Sequence, residues 1–171
     1  CDVGIIGEGE YTFLDLVRYY LSPEGRIEDI PGAAVFRDQQ VLRGPERPFI
    51  EDLNQLPFPA WDLLEIPKYN TPFHITGGQR FPVMGSRGCP YNCSYCVSPL
   101  IWKRKVRWRS PENIVEEMQM IKEKFGVTKI HFWDDNQMLF PEHLEKLCNL
   151  MIEKNLNIEW LGLTRAGHIS Q

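Results

Sequence analysis

Cys89, Cys93 and Cys96 fall within eight positions, with three residues and then two between them. Thiolates are soft ligands and select zinc, copper(I) or iron–sulfur clusters. A structural zinc site closes with four ligands, and here only three stand together. The two remaining cysteines, Cys1 and Cys148, lie far away in sequence, and Cys148 reads as a small hydrophobe on a helix face. Three ligands with a fourth position open suit a catalytic zinc, or a cubane that takes three irons from one short loop and leaves the fourth iron free. The loop fits tight wrapping: Gly88 and Pro90 flank the first thiol, Asn92 and Ser94 bring donors near the sulfurs, and Tyr95 offers an aromatic face before the last cysteine.

Composition narrows the class. The chain has 171 residues, 43% hydrophobic and 25% charged, with a net charge of -4. That describes a globular protein without a general attraction to nucleic acid or anionic membrane. No apolar run approaches the length of a membrane span. An odd cysteine count argues against a disulfide framework and for metal binding in a reducing compartment, so a cytoplasmic location is expected. The first residue is not Met, and strand-like segments stand at both ends, so an internal piece of a longer protein is expected.

The elements that must position the thiols follow from periodicity. Val3–Ile6 read as a short strand, residues 7–10 as a glycine-bearing loop, and residues 11–21 as a helix with apolar Phe13, Leu14, Val17, Tyr20 and Leu21. "AAVF" and "QVLR" flank Asp38-Gln39 as a hairpin. Pro48, Pro57 and Pro59 break the next stretch, where Trp61 reads as an apolar plug. From residue 80 the order is regular. "FPVMGS" is a strand leading into the cysteines. A helix capped by Ser110 follows, with Ile114, Val115, Met118, Ile121 and Phe125 on its apolar stripe and Gly126 at its end. "TKIHFW" is a second strand, Pro141 opens a second helix with Leu144, Leu147, Cys148, Met151 and Ile152 on one face, and "IEWLGLT" is a third strand. This alternation predicts an α/β fold with parallel strands. Loops at the carboxyl ends of such strands begin at Arg87, Asp134 and Arg165, and can converge. His74, His131 and His143 show no ligand spacing and read as structural.

The cysteine spacing, with Tyr95 before the third thiol, resembles the signature of the radical SAM superfamily. The resemblance implies a partial radical SAM (β/α) barrel, its first three strands, over residues 80–171. It implies that Cys89, Cys93 and Cys96 hold a 4Fe–4S cluster whose fourth iron is chelated by S-adenosylmethionine (SAM). Reductive cleavage of SAM to a 5′-deoxyadenosyl radical is the implied chemistry. Asp134 and Asp135 resemble the variant of the second-strand motif found in cobalamin-linked members and would face the SAM ammonium; the same acids also suit capping of the following turn. Arg165 would pair with the SAM carboxylate, or form a surface salt bridge. "DVGIIGEGEYTFLDLV" is similar to the last unit of the Rossmann-like cobalamin-binding domain that precedes many such enzymes, which implies residues 1–25 as its remnant and Gly7 and Gly9 as points of close approach to cobalamin. Residues 26–79 resemble the extended interdomain connector of those proteins. A small-molecule substrate, an electron donor such as flavodoxin or ferredoxin, and methyl transfer or a related radical reaction complete the expectation. The alternatives are a radical SAM enzyme that does not use cobalamin, and a zinc-stabilised module that uses "KRKVRWRS" (103–110) on nucleic acid. In the first two cases that basic stretch is a solvated or salt-bridged connector, or meets a phosphate-bearing substrate.

Overall fold

The computed structural model describes residues 2–65, 68 and 80–168. Cys1, His74 and most of the final third of the expected connector lie outside the described residues. By its internal contacts the chain divides into two compact units, Cys1–Glu51 and Asp52–Gln171.

The first unit is a three-stranded antiparallel sheet with one helix. Strand β1 (Val3–Ile5) leads through the glycine-bearing loop into helix α1 (Gly9–Leu21). Strands β2 (Ala33–Arg37) and β3 (Gln40–Arg43) form the expected hairpin, and β2 also pairs antiparallel with β1. Asp38 and Gln39 have φ of 50° and 63°. Both central residues are therefore left-handed, the turn type that matches strand twist, reached here without glycine. Leu16, Ile27, Ala33 and Val35 form this unit's core. The hairpin, expected inside a connector, thus belongs to the first unit. On α1, Phe13, Val17, Tyr20 and Leu21 are exposed, so the helical stripe read from sequence is real in spacing but uncovered within the described residues.

The second unit carries the parallel sheet. Strand β4 (Phe81–Val83) pairs in parallel with β7 (Lys129–Phe132), and β7 with β8 (Glu159–Leu161). Between them, β5 (Ser86–Arg87) and β6 (Arg107–Trp108) pair antiparallel and close the cysteine segment at its base. A short helix α2 (Ser98–Trp102) lies inside that closed loop. Neither α2 nor the β5–β6 ladder is legible in the sequence, because both are too short to show periodicity.

Helix α3 (Pro111–Phe125) begins where its sequence says it should. The Ser110 hydroxyl accepts the Asn113 amide at 3.2 Å, Pro111 sits at the first helical position, and Gly126 ends the helix with φ of 67°. Ile114, Val115, Met118 and Ile121 are completely buried, each contributing about 1.5–3 kcal/mol through removal of apolar surface from water. Helix α4 (Pro141–Glu153) packs beside α3 and buries Leu147 and Met151. Ile152, expected on the same face, is instead 71% exposed. With Cys148 and Trp160 it lines an open groove of about 370 Å³ along β8.

The proline-broken segment before β4 is tied to this unit at several points. Trp61 packs edge-on against Phe81, with ring centroids 4.8 Å apart. Asn54 Oδ1 accepts the Ser110 amide at 2.7 Å. Phe58 lies under the Arg109 guanidinium. Arg109 also bonds Asn113 and the Met84 carbonyl, and pairs with Glu117, which is only 1% exposed. A buried carboxylate needs such a partner, since an unpaired one would be costly.

Candidate cluster and SAM site

All three parallel strands end at the same edge of the sheet, and the loops beyond them meet there. The loop after β4 becomes β5 and then the cysteine segment. Gly88, just before Cys89, has φ of 97°, and a Cβ there would lie 2.0 Å from the Lys105 carbonyl oxygen. Only glycine allows that approach. The start of the cysteine segment is therefore pressed against its own return strand.

The three thiols differ in exposure. Cys89 is 9% exposed, Cys93 is half-buried and Cys96 is exposed. The four described cysteines are free of disulfides. The Cys96 amide donates to the Cys93 carbonyl at 3.0 Å, which turns the loop between the last two ligands. The Ser98 amide lies 3.4 Å from Cys96 Sγ and donates to it. The Ser98 hydroxyl is buried and has no partner among the described residues. Three free thiols on one short loop, with a backbone amide donating to the last of them, fit a 4Fe–4S group, whose sulfurs accept such bonds. Among the described residues, no three His, Cys, Asp or Glu side chains converge on a single ion; a cubane needs no such convergence, because each thiolate binds its own iron.

The loop after β7 is bonded to the cysteine segment by two carboxylates. Asp134 is 2% exposed. It accepts the Gly85 amide at 3.1 Å and a short bond from the Ser86 hydroxyl. Asp135 is exposed and accepts the Gly88 amide at 3.1 Å. The two acids thus hold both sides of β5, with Asp134 turned into the protein and Asp135 at its surface. Burial pushes the Asp134 carboxyl above the usual carboxylate range, against the opposing pull of its bonds from Ser86 and Gly85.

A pH dependence follows. A carboxyl with a raised folded pKa takes up its proton on folding, so its ionisation destabilises the fold as pH rises through the folded pKa. Asp134 is therefore expected to favour the folded state below that value and to weaken it above. Thermal unfolding of the full-length protein at several pH values from about 4 to 7 checks this. In Asp134→Asn the dependence should flatten, and overall stability should fall, because an amide cannot accept both donors. An unchanged pH profile in the variant would rule this role out.

The loop after β8 reaches the same place. Arg165 lies with its guanidinium 3.9 Å from the centre of the Tyr91 ring. The Tyr91 hydroxyl and His168 Nε2 are 2.9 Å apart. Thr164 donates to Asn136 Oδ1 at 3.1 Å, and the Gln137 amide donates to the Leu163 carbonyl at 2.8 Å. Asn136 Nδ2 and Gln137 Oε1 are buried without partners among the described residues. Tyr95 is 90% exposed and has its ring open to a ligand. The structure therefore brings Asp134, Asp135 and Arg165 to the cysteine segment. It attaches them to Gly85, Ser86, Gly88 and Tyr91. Tyr91 and His168 escaped the sequence because their signal is a contact across 77 residues, not a spacing; Ser98, only two residues beyond Cys96, escaped because its contact is made by the backbone amide, which every non-proline residue has. Gly7 and Gly9 lie in the other unit. Gly7 has φ of 84° with open space where a Cβ would be, and Gly9 begins α1. His143 is structural as expected, with Nε2 2.8 Å from the Arg109 carbonyl.

A three-cysteine loop at the carboxyl end of the first of three parallel strands is the arrangement expected of a metal- or cluster-dependent α/β enzyme. The family model of the radical SAM superfamily matches residues 83–169, and the chain belongs to that superfamily, whose members use a 4Fe–4S cluster and SAM. Among curated relatives, the chain is 31% identical over 99% of its length to an uncharacterised methyltransferase of Pyrococcus horikoshii, covering 36% of that protein. It is 30% identical over 98% of its length to an anaerobic magnesium-protoporphyrin IX monomethyl ester cyclase of Synechocystis, covering 32% of it. The chain thus spans roughly a third of these relatives. Its α/β fold is similar to that of the radical SAM methyltransferase TsrM from Kitasatospora setae. The TM-score there is 0.68 at 18% identity, covering 90% of this chain and 29% of that one. It is also similar to OxsB, a cobalamin-dependent SAM radical enzyme, with a TM-score of 0.70 at 21% identity, over 90% of this chain and 22% of that one. Membership of this enzyme family replaces the zinc-module alternative.

Proposed function

We propose that this chain is part of a cobalamin-dependent radical SAM enzyme that methylates or rearranges a small-molecule substrate in the cytoplasm. The observation that carries it is the three-cysteine segment, clamped by Gly88 and the two acids at the sheet edge where all three loops meet. Cys89, Cys93 and Cys96 hold the cluster; Tyr95, Asp135 and Arg165 lie around SAM, with Asp134 fixing the segment from below. When bound, the cluster and SAM would supply one-electron reductive cleavage of the sulfonium carbon–sulfur bond and, through it, hydrogen-atom abstraction from substrate.

In this proposal β4, β7 and β8 are the first three strands of a barrel over residues 80–171. Residues 1–25 end a Rossmann-like cobalamin domain, the hairpin at 33–43 is paired to that remnant, and the rest of residues 26–79 connects the two. Cobalamin is supported by solved structures of similar fold: TsrM has been solved with cobalamin and OxsB with aqua-cobalamin, and each covers 90% of this chain. Gly7 would admit it, having a positive φ and no neighbour where a side chain would sit. Anaerobic titration of the full-length protein with cobalamin tests this directly. Saturable binding with a shift in the corrin absorption bands is expected, weakened by Gly7→Val. Absence of binding would leave the alternative, a radical SAM enzyme that does not use cobalamin.

A further inference from the structure

Tyr91 stands midway between the first two thiols, two residues after Cys89 and two before Cys93. Its side chain is half-buried, and the chain beyond β8 holds it from two sides. Arg165 covers the ring face at 3.9 Å, and His168 Nε2 lies 2.9 Å from the hydroxyl. One short turn, Ala166–His168, carries both contacts: the His168 amide donates to the Arg165 carbonyl at 3.0 Å. On the other side of Arg165, the Thr164 hydroxyl donates to Asn136 Oδ1 and the Leu163 carbonyl accepts the Gln137 amide. Arg165 therefore sits between two anchors, one on the loop after β7 and one on the cysteine segment.

Its charge is left for a ligand. Among the described residues the Arg165 guanidinium has no carboxylate partner and no hydrogen bond, so the surface salt bridge is not formed there; the Tyr91 ring is what engages it. A guanidinium seated on a ring face keeps its N–H fork free, and that fork matches a carboxylate with two parallel bonds. Arg165 is exposed as well. A long side chain that moves freely must be ordered when its ligand arrives, which weakens binding. Seating on Tyr91 does that ordering beforehand. Because Tyr91 belongs to the cysteine segment, the arginine is placed relative to the thiols and not only to its own strand.

We propose that Tyr91 is a positioning residue that holds Arg165 ready for the carboxylate of SAM, with His168 fixing the ring through the hydroxyl. The proposal rests on the reading of the site under Proposed function. Tyr91 touches neither cofactor in this role; it acts through the guanidinium.

The test uses the full-length, iron–sulfur-reconstituted protein, with SAM and decarboxylated SAM as probes in anaerobic equilibrium dialysis. Arg165→Ala should weaken SAM binding by about thirtyfold, and Tyr91→Leu by about five- to tenfold. The double variant should bind SAM no more weakly than Arg165→Ala alone, because the ring has nothing left to position. Tyr91→Phe and His168→Ala keep the ring face and should each show a smaller loss than Tyr91→Leu. Decarboxylated SAM should bind every variant as it binds wild type, and iron content should not change. Wild-type SAM affinity in Arg165→Ala or in Tyr91→Leu overturns the proposal, as do losses that multiply in the double variant. Equal weakening of both probes overturns it too, since that marks general damage to the site. Loss of iron in Tyr91→Leu would assign the residue to cluster assembly and would likewise end the proposal. Failure of the wild type to bind SAM instead sinks the functional reading beneath it.

Discussion

Cys96→Ala is expected to abolish SAM cleavage while leaving the fold in place. The thiol is exposed and belongs to neither apolar core, so its removal should change stability by no more than about 0.5 kcal/mol. In the proposed assignment it is one of three ligands, the others being Cys89 and Cys93, and the remaining described cysteine, Cys148, lies on α4. The reconstituted variant should lose the electron paramagnetic resonance signal of a reduced 4Fe–4S cluster and the change in that signal on adding SAM. 5′-Deoxyadenosine formation should drop below detection. Cys148→Ala is the control and should match wild type in iron content. A Cys96→Ala protein with full iron content and a SAM-responsive signal would remove the functional assignment altogether.

Gly88→Ala should be nearly as damaging, by a different route. The added methyl meets the Lys105 carbonyl oxygen at 2.0 Å, a backbone atom with no flexible end to swing aside. The φ of 97° is also one that an L side chain adopts only under strain. Together these should cost roughly 2–5 kcal/mol locally. The effect falls on the β5–β6 closure, because the Gly88 amide is also the donor to Asp135. Iron incorporation should fall severely and hydrogen exchange at residues 86–108 should rise, while the buried α3 stripe stays protected. If iron binds normally, the close seat of Lys105 on Gly88 is not required for the site.

The sequence expectations held unequally, for identifiable reasons. Helix α3 starts and stops at its cap residues because capping is decided within a few positions: Ser110 reaches only to Asn113, and Gly126 only back to Lys122. The parallel strands were legible because Ile130 and Phe132 alternate with half-exposed neighbours. By contrast, α1 and α4 each have an apolar stripe that remains partly uncovered among the described residues, at Tyr20 and Leu21 and at Ile152. Periodicity shows that a face is apolar; it does not show what covers it. The hairpin at residues 33–43 was visible as a hairpin, but its pairing with β1 was not, since antiparallel register across 30 residues leaves no local mark.

At the site the same division appears. That three thiols are offered together, with an aromatic residue among them, is a property of eight consecutive positions, and the primary structure alone determines it. Where the acids point is not. Asp134 and Asp135 are 48 and 47 residues from Ser86 and Gly88, and they meet them only because β4 and β7 lie side by side and end at one edge. Likewise Arg165 finds Tyr91, and Trp108 of the basic stretch packs on Phe140, through packing alone. Short-range chemistry is written in spacing; the choice of partner for a long polar side chain is made by whichever backbone the tertiary fold brings within about 3 Å.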